Sequence, residues 1–311
     1  MPGCRNVLGG GAGLDLLAGS MYISLKYHAM KMIKIPILAL LVTSCIQQSS
    51  PGPEQGSVLS ADQTEIKYTL YGEGETALVF VHCWCCDQGY WREQAETFSQ
   101  EYKVVTIDLA GHGKSGRERD DYTLQAFGMD VASVVKHLGL DRIVLIGHSM
   151  GGGVIIAAAN QLKQQTLALI GVDTYQGFQY EMSDSMIRQF VQPFRQDFYN
   201  TTIGFVQKMF PPGADSVLVM EISEDMAQGP ADAAISAMIN NISTDPVELL
   251  EGLDIPIYSI NSRMFPIDVE TNRQLYPEFE VRFIEGVGHF VQLEDPVAFN
   301  RVLKSLLLEI I

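Results

Sequence analysis

Basic residues are scarce: 21 lysines and arginines stand against 37 aspartates and glutamates, a formal charge of −16 with a pI near 4.7. A nucleic-acid binder needs a basic face to neutralise phosphates, so that class is excluded. Long apolar runs are lacking as well. Residues 35–42, the apolar run of the N-terminal region, fall well short of the roughly 20 residues that cross a bilayer as a helix. Cysteine is sparse and uneven, five in all, with Cys83, Cys85 and Cys86 crowded together, which is no disulfide framework. Apolar content is ample. With 47% hydrophobic and 19% charged residues and a mean hydropathy of +0.09, the 311 residues can bury a full core as one large domain or two small ones.

Residues 1–29 are rich in Gly and Leu without periodicity and precede a second possible start at Met30 or Met32, so they read as a leader outside the fold. Lys31 and Lys34, the apolar run, the small Thr43 and Ser44 and then Cys45 follow the layout of a signal peptide. The ending Val42, Thr43, Ser44, Cys45 resembles the lipobox of bacterial lipoproteins, in which the signal is cut before a cysteine that carries acyl chains. That resemblance implies a mature chain anchored to membrane through Cys45, which several acyl chains make stable. The anchor places the protein in a bacterial cell envelope, and Ile46 after the cysteine resembles outer-membrane sorting. Residues 45–56, with serines, prolines and a glycine, read as a flexible tether. A plain secretory signal is the alternative.

From residue 57 onward the chain alternates. Residues 65–71 alternate apolar and polar as a half-buried strand does, and residues 76–82 form a continuous apolar run suited to a buried one. Further runs of this kind are 103–109, 142–147, 167–172, 255–260 and 281–284, separated by helical periodicity at 124–138, 152–161 and 296–310. Strand and helix in alternation predict an α/β fold, a mostly parallel sheet covered on both faces. The interval 174–254 breaks the rhythm, is helical in pattern and rich in Met and Phe, and reads as a cap inserted over one end of the sheet. Ligands of such sheets bind at the carboxyl ends of the strands, so motifs directly after strands carry most weight.

Gly147, His148, Ser149, Met150 and Gly151 directly follow one such strand and precede a small-residue helix. This G-x-S-x-G run in that context predicts a nucleophile elbow. A sharp turn holds the serine oxygen above the sheet, and the helix N-terminus beside it favours developing negative charge. Ser149 needs a base. His28 lies in the leader, His137 on a helix, His148 inside the elbow, and His82 and His112 in loops before it. His289 follows the last strand in the flexible run Gly286, Val287, Gly288, His289, Phe290 and is the candidate general base.

With His82 to Trp84 after an early strand, Asp108 to Ser115 (DLAGHGKS), the elbow, and Gly288 to Pro296 (GHFVQLEDP), the chain resembles the α/β-hydrolase family over residues 57–311. The resemblance implies an α/β-hydrolase fold with a helical cap and oxyanion-hole N–H groups from Trp84 and Met150. Two departures stand out. Cys83 occupies a position that is usually glycine in the family. The usual position of the acid, near residue 261, carries no carboxylate; Asp173, directly after the preceding strand, is the first candidate and Asp268 the alternative. Cys83, Cys85 and Cys86 beside His82 are too compressed to wrap a tetrahedral metal ion, so no metal is expected, and they read as buried thiols packing as small hydrophobes. An adjacent Cys85–Cys86 bond is the strained alternative.

The reading is a serine hydrolase that needs no cofactor and cleaves a carboxylic ester or similar small acyl substrate, with an apolar acyl or aryl group lying against Met182, Met186, Phe190, Phe194, Phe198, Phe205, Met209 and Phe210. A carbon–carbon bond hydrolase or lactonase with the same residues is the alternative within enzymes. A catalytically weak ligand-binding protein is the alternative outside them.

Overall fold

A computed structural model describes residues 52–178 and 182–311. Cys45 and the leader before it lie outside the described residues, as does most of the tether. In chain order the elements are β1 (Glu54–Leu59), β2 (Glu65–Tyr71), β3 (Ala77–Val81), α1 (Arg92–Phe98), β4 (Lys103–Asp108), α2 (Leu124–His137), β5 (Ile143–His148), α3 (Met150–Gln161) and β6 (Thr166–Val172). Then come α4 (Asp184–Gln196), α5 (Phe198–Gln207), α6 (Ser216–Ala227), α7 (Ala231–Ser243) and α8 (Pro246–Leu250). The chain ends with β7 (Ile257–Ser262), α9 (Val269–Leu275), β8 (Glu280–Ile284), α10 (Val291–Glu294) and α11 (Pro296–Ile310).

The eight strands form one sheet in the order β1-β2-β4-β3-β5-β6-β7-β8. β1 and β2 pair antiparallel, as do β2 and β4; every other pairing is parallel. A parallel sheet needs cover on both faces, and the central strands show it. Leu78 and Phe80 of β3 join Val144 and Ile146 of β5 in a core layer that also holds Trp91, Phe299 and Leu303. The alternate residues Val79, Val81, Ile143 and Leu145 face the opposite layer with Phe127 and Val131 of α2. This two-sided burial is why the strands read as unbroken apolar runs. Between β6 and β7 lie the five cap helices and, among the described residues, no strand, as the helical pattern of residues 174–254 predicts.

β1 corrects the boundary drawn from sequence. It starts at Glu54, inside the stretch read as tether, and pairs with β2 from Glu54 opposite Leu70 to Leu59 opposite Glu65. As an edge strand with only part of one face covered it is polar, which is why apolar patterning does not reveal it. Strand order reverses at β3, which has β4 on one side and β5 on the other. The loops leaving β3 and β5 therefore meet at a topological switch point, the usual place for a ligand in an open α/β sheet.

Candidate active site

Ser149 sits between β5 and α3 with φ 54° and ψ −116°, a conformation that costs a non-glycine residue energy and persists only where its surroundings enforce it. They do so here. The Ser149 N–H donates to the Val172 carbonyl at 2.9 Å, and the Gly152 N–H returns to the Ser149 carbonyl at 2.8 Å. A side chain at Gly147 would strike the backbone of Gly151, and one at Gly151 would lie 2.7 Å from the Val81 carbonyl oxygen and 2.8 Å from that of His82. Both glycines are thus required by close backbone approach, one within the elbow and one against the end of β3.

His289 lies in the loop between β8 and α10, held on several sides. Its N–H donates to the Met209 carbonyl of the cap at 2.9 Å, and its carbonyl accepts from His148 Nε2 at 2.9 Å. The flanking Gly288 and Phe290 N–H groups donate to the two Glu294 carboxylate oxygens at 2.9 and 3.1 Å. The imidazole Nδ1–H donates to Asp173 Oδ2 at 2.6 Å, while Asp173 Oδ1 accepts the Ser262 N–H at 2.8 Å. Asp173 is 1% exposed. With Nδ1 committed as donor, Nε2 is the ring nitrogen left to accept a proton. Ser149 and His289 line the same two cavities. Among the described residues the Ser149 hydroxyl has no hydrogen-bond partner; such contacts often form only once substrate is bound.

Asp268 does not meet the imidazole. It is the exposed N-cap of α9, its Oδ1 accepting the Thr271 N–H at 3.0 Å. Of the two aspartates open from sequence, only Asp173 is brought to His289. Trp84 and Met150 both border a cavity with Ser149, and among the described residues neither backbone N–H has a protein acceptor. The Trp84 side chain is fixed by its Nε1–H donating to the Ala234 carbonyl at 2.7 Å.

The family model described as alpha/beta hydrolase fold matches residues 76–296. The chain belongs to the α/β-hydrolase family. It is similar to 3-oxoadipate enol-lactonase 2 of Acinetobacter baylyi, 24% identical over 261 residues that cover 80% of this chain and 95% of the relative. It is also similar to a bifunctional esterase/perhydrolase of Acinetobacter calcoaceticus, 25% identical over 273 residues, 81% of this chain and 99% of the relative. A solved esterase of Thermogutta terrifontis superposes with a TM-score of 0.72 at 21% identity, covering 83% of this chain and 99% of that one, which is a likeness of fold.

In this α/β-hydrolase the cysteine cluster departs from the sequence expectation. The Cys86 N–H donates to the Cys83 carbonyl at 3.2 Å, and the tight turn brings the two Cα atoms to 5.3 Å, within disulfide reach. Cys83 and Cys86 are bonded, and Cys85 is the free, buried thiol. The turn, which carries Cys85 at φ 57°, makes partners of residues three apart instead of adjacent ones. Among the described residues no group of three or more His, Cys, Asp and Glu side chains is disposed to hold a metal ion.

Sequence reasoning left several supports without a role. Ser262 steadies Asp173, Glu294 holds both amides beside His289, and Gln292 Nε2 donates to His148 Nδ1 at 3.2 Å. Glu294 and Gln292 stand inside the GHFVQLEDP run that carries the family likeness, so a signal was present without an assignment. The other histidines of the site are buried and neutral. Burial lowers His82 to about 4 and His112 to about 3, and holds His148 well below its ordinary value. His82 Nδ1–H donates to the Cys83 carbonyl at 2.8 Å and its Nε2 accepts the Leu109 N–H at 3.0 Å, so it is a strut under the β3 loop.

These depressed values give a pH prediction. Below the unfolded histidine value near 6.5, the unfolded chain binds protons that the folded chain refuses, so stability is present above that pH and lost as pH falls. Each histidine contributes up to about 1.4 kcal/mol per pH unit, and the three together give a loss of roughly 2–4 kcal/mol between pH 6 and 5. Urea unfolding at pH 7, 6 and 5 measures this, and a midpoint that stays constant across the series would contradict it.

Proposed function

We propose that this α/β-hydrolase is a serine hydrolase that cleaves carboxylic esters, including internal ones, through an acyl-enzyme. Ser149 Oγ bonds to the carbonyl carbon as His289 Nε2 takes its proton. The oxygen that becomes negative is received by the N–H groups of Trp84, in the loop after β3, and Met150, at the start of α3, a contribution typically about 10²- to 10³-fold per donor. The carbon–oxygen bond of the ester then breaks, and the same proton passes from His289 to the departing alkoxide. Water repeats the sequence on the acyl-enzyme, and Asp173 stabilises the imidazolium in both halves.

The observation that carries this reading is the 2.6 Å contact of His289 Nδ1 with a buried Asp173, beside a serine forced into an elbow conformation. The ester- and lactone-cleaving names of the relatives agree with it. The same reading, with its lipobox resemblance, tethers the domain to the cell envelope through Cys45. The test is labelling with a fluorophosphonate probe and mapping of the adduct by peptide mass spectrometry. An adduct on Ser149 is the expected result; a well-folded protein that takes up no probe would make the site a ligand-binding pocket.

A further inference from the structure

Two cavities of unlike size and lining meet at Ser149. The smaller, about 110 Å³, is walled by Trp84, Phe190, Phe205, Met209, Met226 and Met238. The larger, about 600 Å³, sets Leu124, Ile156 and Phe178 beside Thr174, Gln176 and, at its exposed rim, Asp268. Ser149, Met150, Asn241 and His289 border both. An ester bound at the serine must lay its acyl part in one compartment and its alcohol part in the other.

Resting on the acyl-enzyme reading above, we infer that the small compartment holds the acyl group and the large one the alcohol, so that the substrates are short-chain acyl esters of bulky alcohols without negative charge. The order of events decides the assignment. The alcohol leaves first and water must then reach the carbonyl carbon, which requires an opening on the alcohol side while the acyl group stays put. The large compartment, with Asp268 at its exposed rim, leaves room for water once the alcohol has gone; the small one, buried at Cys83, Trp84, Met226 and Met238 and exposed at Phe190, is filled by the acyl chain. Size sets the acyl limit. An apolar cavity of about 150 Å³ takes benzene, so the smaller site, at about 110 Å³, fits an acetyl to butanoyl chain better than an aryl acid. Only three of the eight Met and Phe residues expected at the acyl group, Phe190, Phe205 and Met209, line it. Phe194 and Phe198 instead pack on the Trp84 ring at 5.7 and 6.0 Å between centroids, and Phe210 stacks on Phe290 at 5.2 Å. Charge sets the alcohol limit. Among the described lining residues of both compartments there is no lysine or arginine, and the charged group at the rim is a carboxylate.

The experiment measures kcat/KM for 4-nitrophenyl esters from acetate to dodecanoate, and for acetate esters whose phenol carries either a carboxylate or the matching carboxamide. The expected profile peaks between acetate and butanoate and falls at least about ten-fold by octanoate, since methylenes beyond the available room meet packed walls. The carboxylate-bearing phenyl acetate is expected to be several-fold poorer than the carboxamide. Phe205→Ala should move the optimum to longer chains. Phe190→Ala should do the same, and that ring, 36% exposed, can be removed at little cost to the fold. A wild-type profile that rises towards dodecanoate, or one that neither variant shifts, overturns the inference while leaving the esterase reading intact. Absence of turnover on every ester together with absence of fluorophosphonate labelling removes that reading and this inference with it.

Discussion

Asp173→Asn should lower kcat/KM on a short-chain ester by about 10⁴-fold, close to 5.5 kcal/mol of transition-state stabilisation, with the fold intact. The reason lies in which atoms the side chain faces. Asp173 Oδ1 accepts the Ser262 N–H at 2.8 Å and Oδ2 accepts His289 Nδ1–H at 2.6 Å. An asparagine keeps the first bond with its carbonyl oxygen and then turns its NH₂ towards the imidazole. Nδ1 must become an acceptor, the ring proton moves to Nε2, and the nitrogen that should take the Ser149 proton is already occupied. The imidazolium formed during reaction also loses its anion. Asp268→Asn is the contrast: it changes an exposed helix cap and rim group, and a few-fold change at most is expected. Steady-state kinetics of both variants, with circular dichroism as the check on folding, decide the matter. An Asp173→Asn enzyme within ten-fold of wild type, or a larger loss from Asp268→Asn, would show that the acid has been misplaced.

That choice between aspartates marks how far the sequence reaches. The elbow was legible because everything that enforces it is local: two glycines, a strand before and a helix after. His289 was legible as the histidine of the loop that follows the last strand. The candidate acid was only ranked, Asp173 ahead of Asp268, because Asp173 and His289 are 116 residues apart and their contact is made by the sheet, which sets the end of β6 beside the loop after β8 by way of β7. Strand periodicity reveals that such ends exist and says nothing of which carboxylate turns inward. The Cys83–Cys86 bond was missed for a related reason, since pairing depends on a turn whose shape no spacing rule encodes. The cap shows the same limit in apolar form. Its Met and Phe residues were visible as a class, but only packing shows that, of the three rings set against Trp84, Phe205 lines the smaller compartment while Phe194 and Phe198 do not. β1 went unread because an edge strand is polar, and polarity there resembles a tether.

Arg119→Met is expected to cost about 3–5 kcal/mol of stability, which for a domain of this size lowers the melting temperature by roughly 6–20 °C. Asp130, on α2, is fully buried. Arg119 grips it with both terminal nitrogens at 3.1 and 2.6 Å, the Ser60 hydroxyl donates at 2.5 Å, and the Ala110 N–H lies at 3.4 Å. The guanidinium Nε also stands 2.8 Å from Asp62. One buried carboxylate thus ties the β1–β2 turn and the loop after β4 to α2. Without Arg119 it keeps only the hydroxyl and a long amide contact, and an under-compensated buried charge is what makes breaking such a pair expensive. Burial already pushes the Asp130 carboxyl above its ordinary value even with the guanidinium present, and removing the guanidinium raises it further. A group whose folded value is raised contributes stability below its unfolded value and loses it as pH climbs through the folded one. The deficit of Arg119→Met relative to wild type should therefore be greatest near neutral pH and shrink in acid as Asp130 takes a proton. Replacing the pair together, Arg119→Met with Asp130→Leu, removes the stranded charge and should recover much of the loss. Asp130 borders neither cavity at Ser149, so fluorophosphonate labelling of the folded single variant should proceed at close to the wild-type rate. If the deficit stays constant from pH 7 to 5, or the double variant is no more stable than the single one, the cost comes from lost packing of the arginine stem and not from the charge it leaves behind.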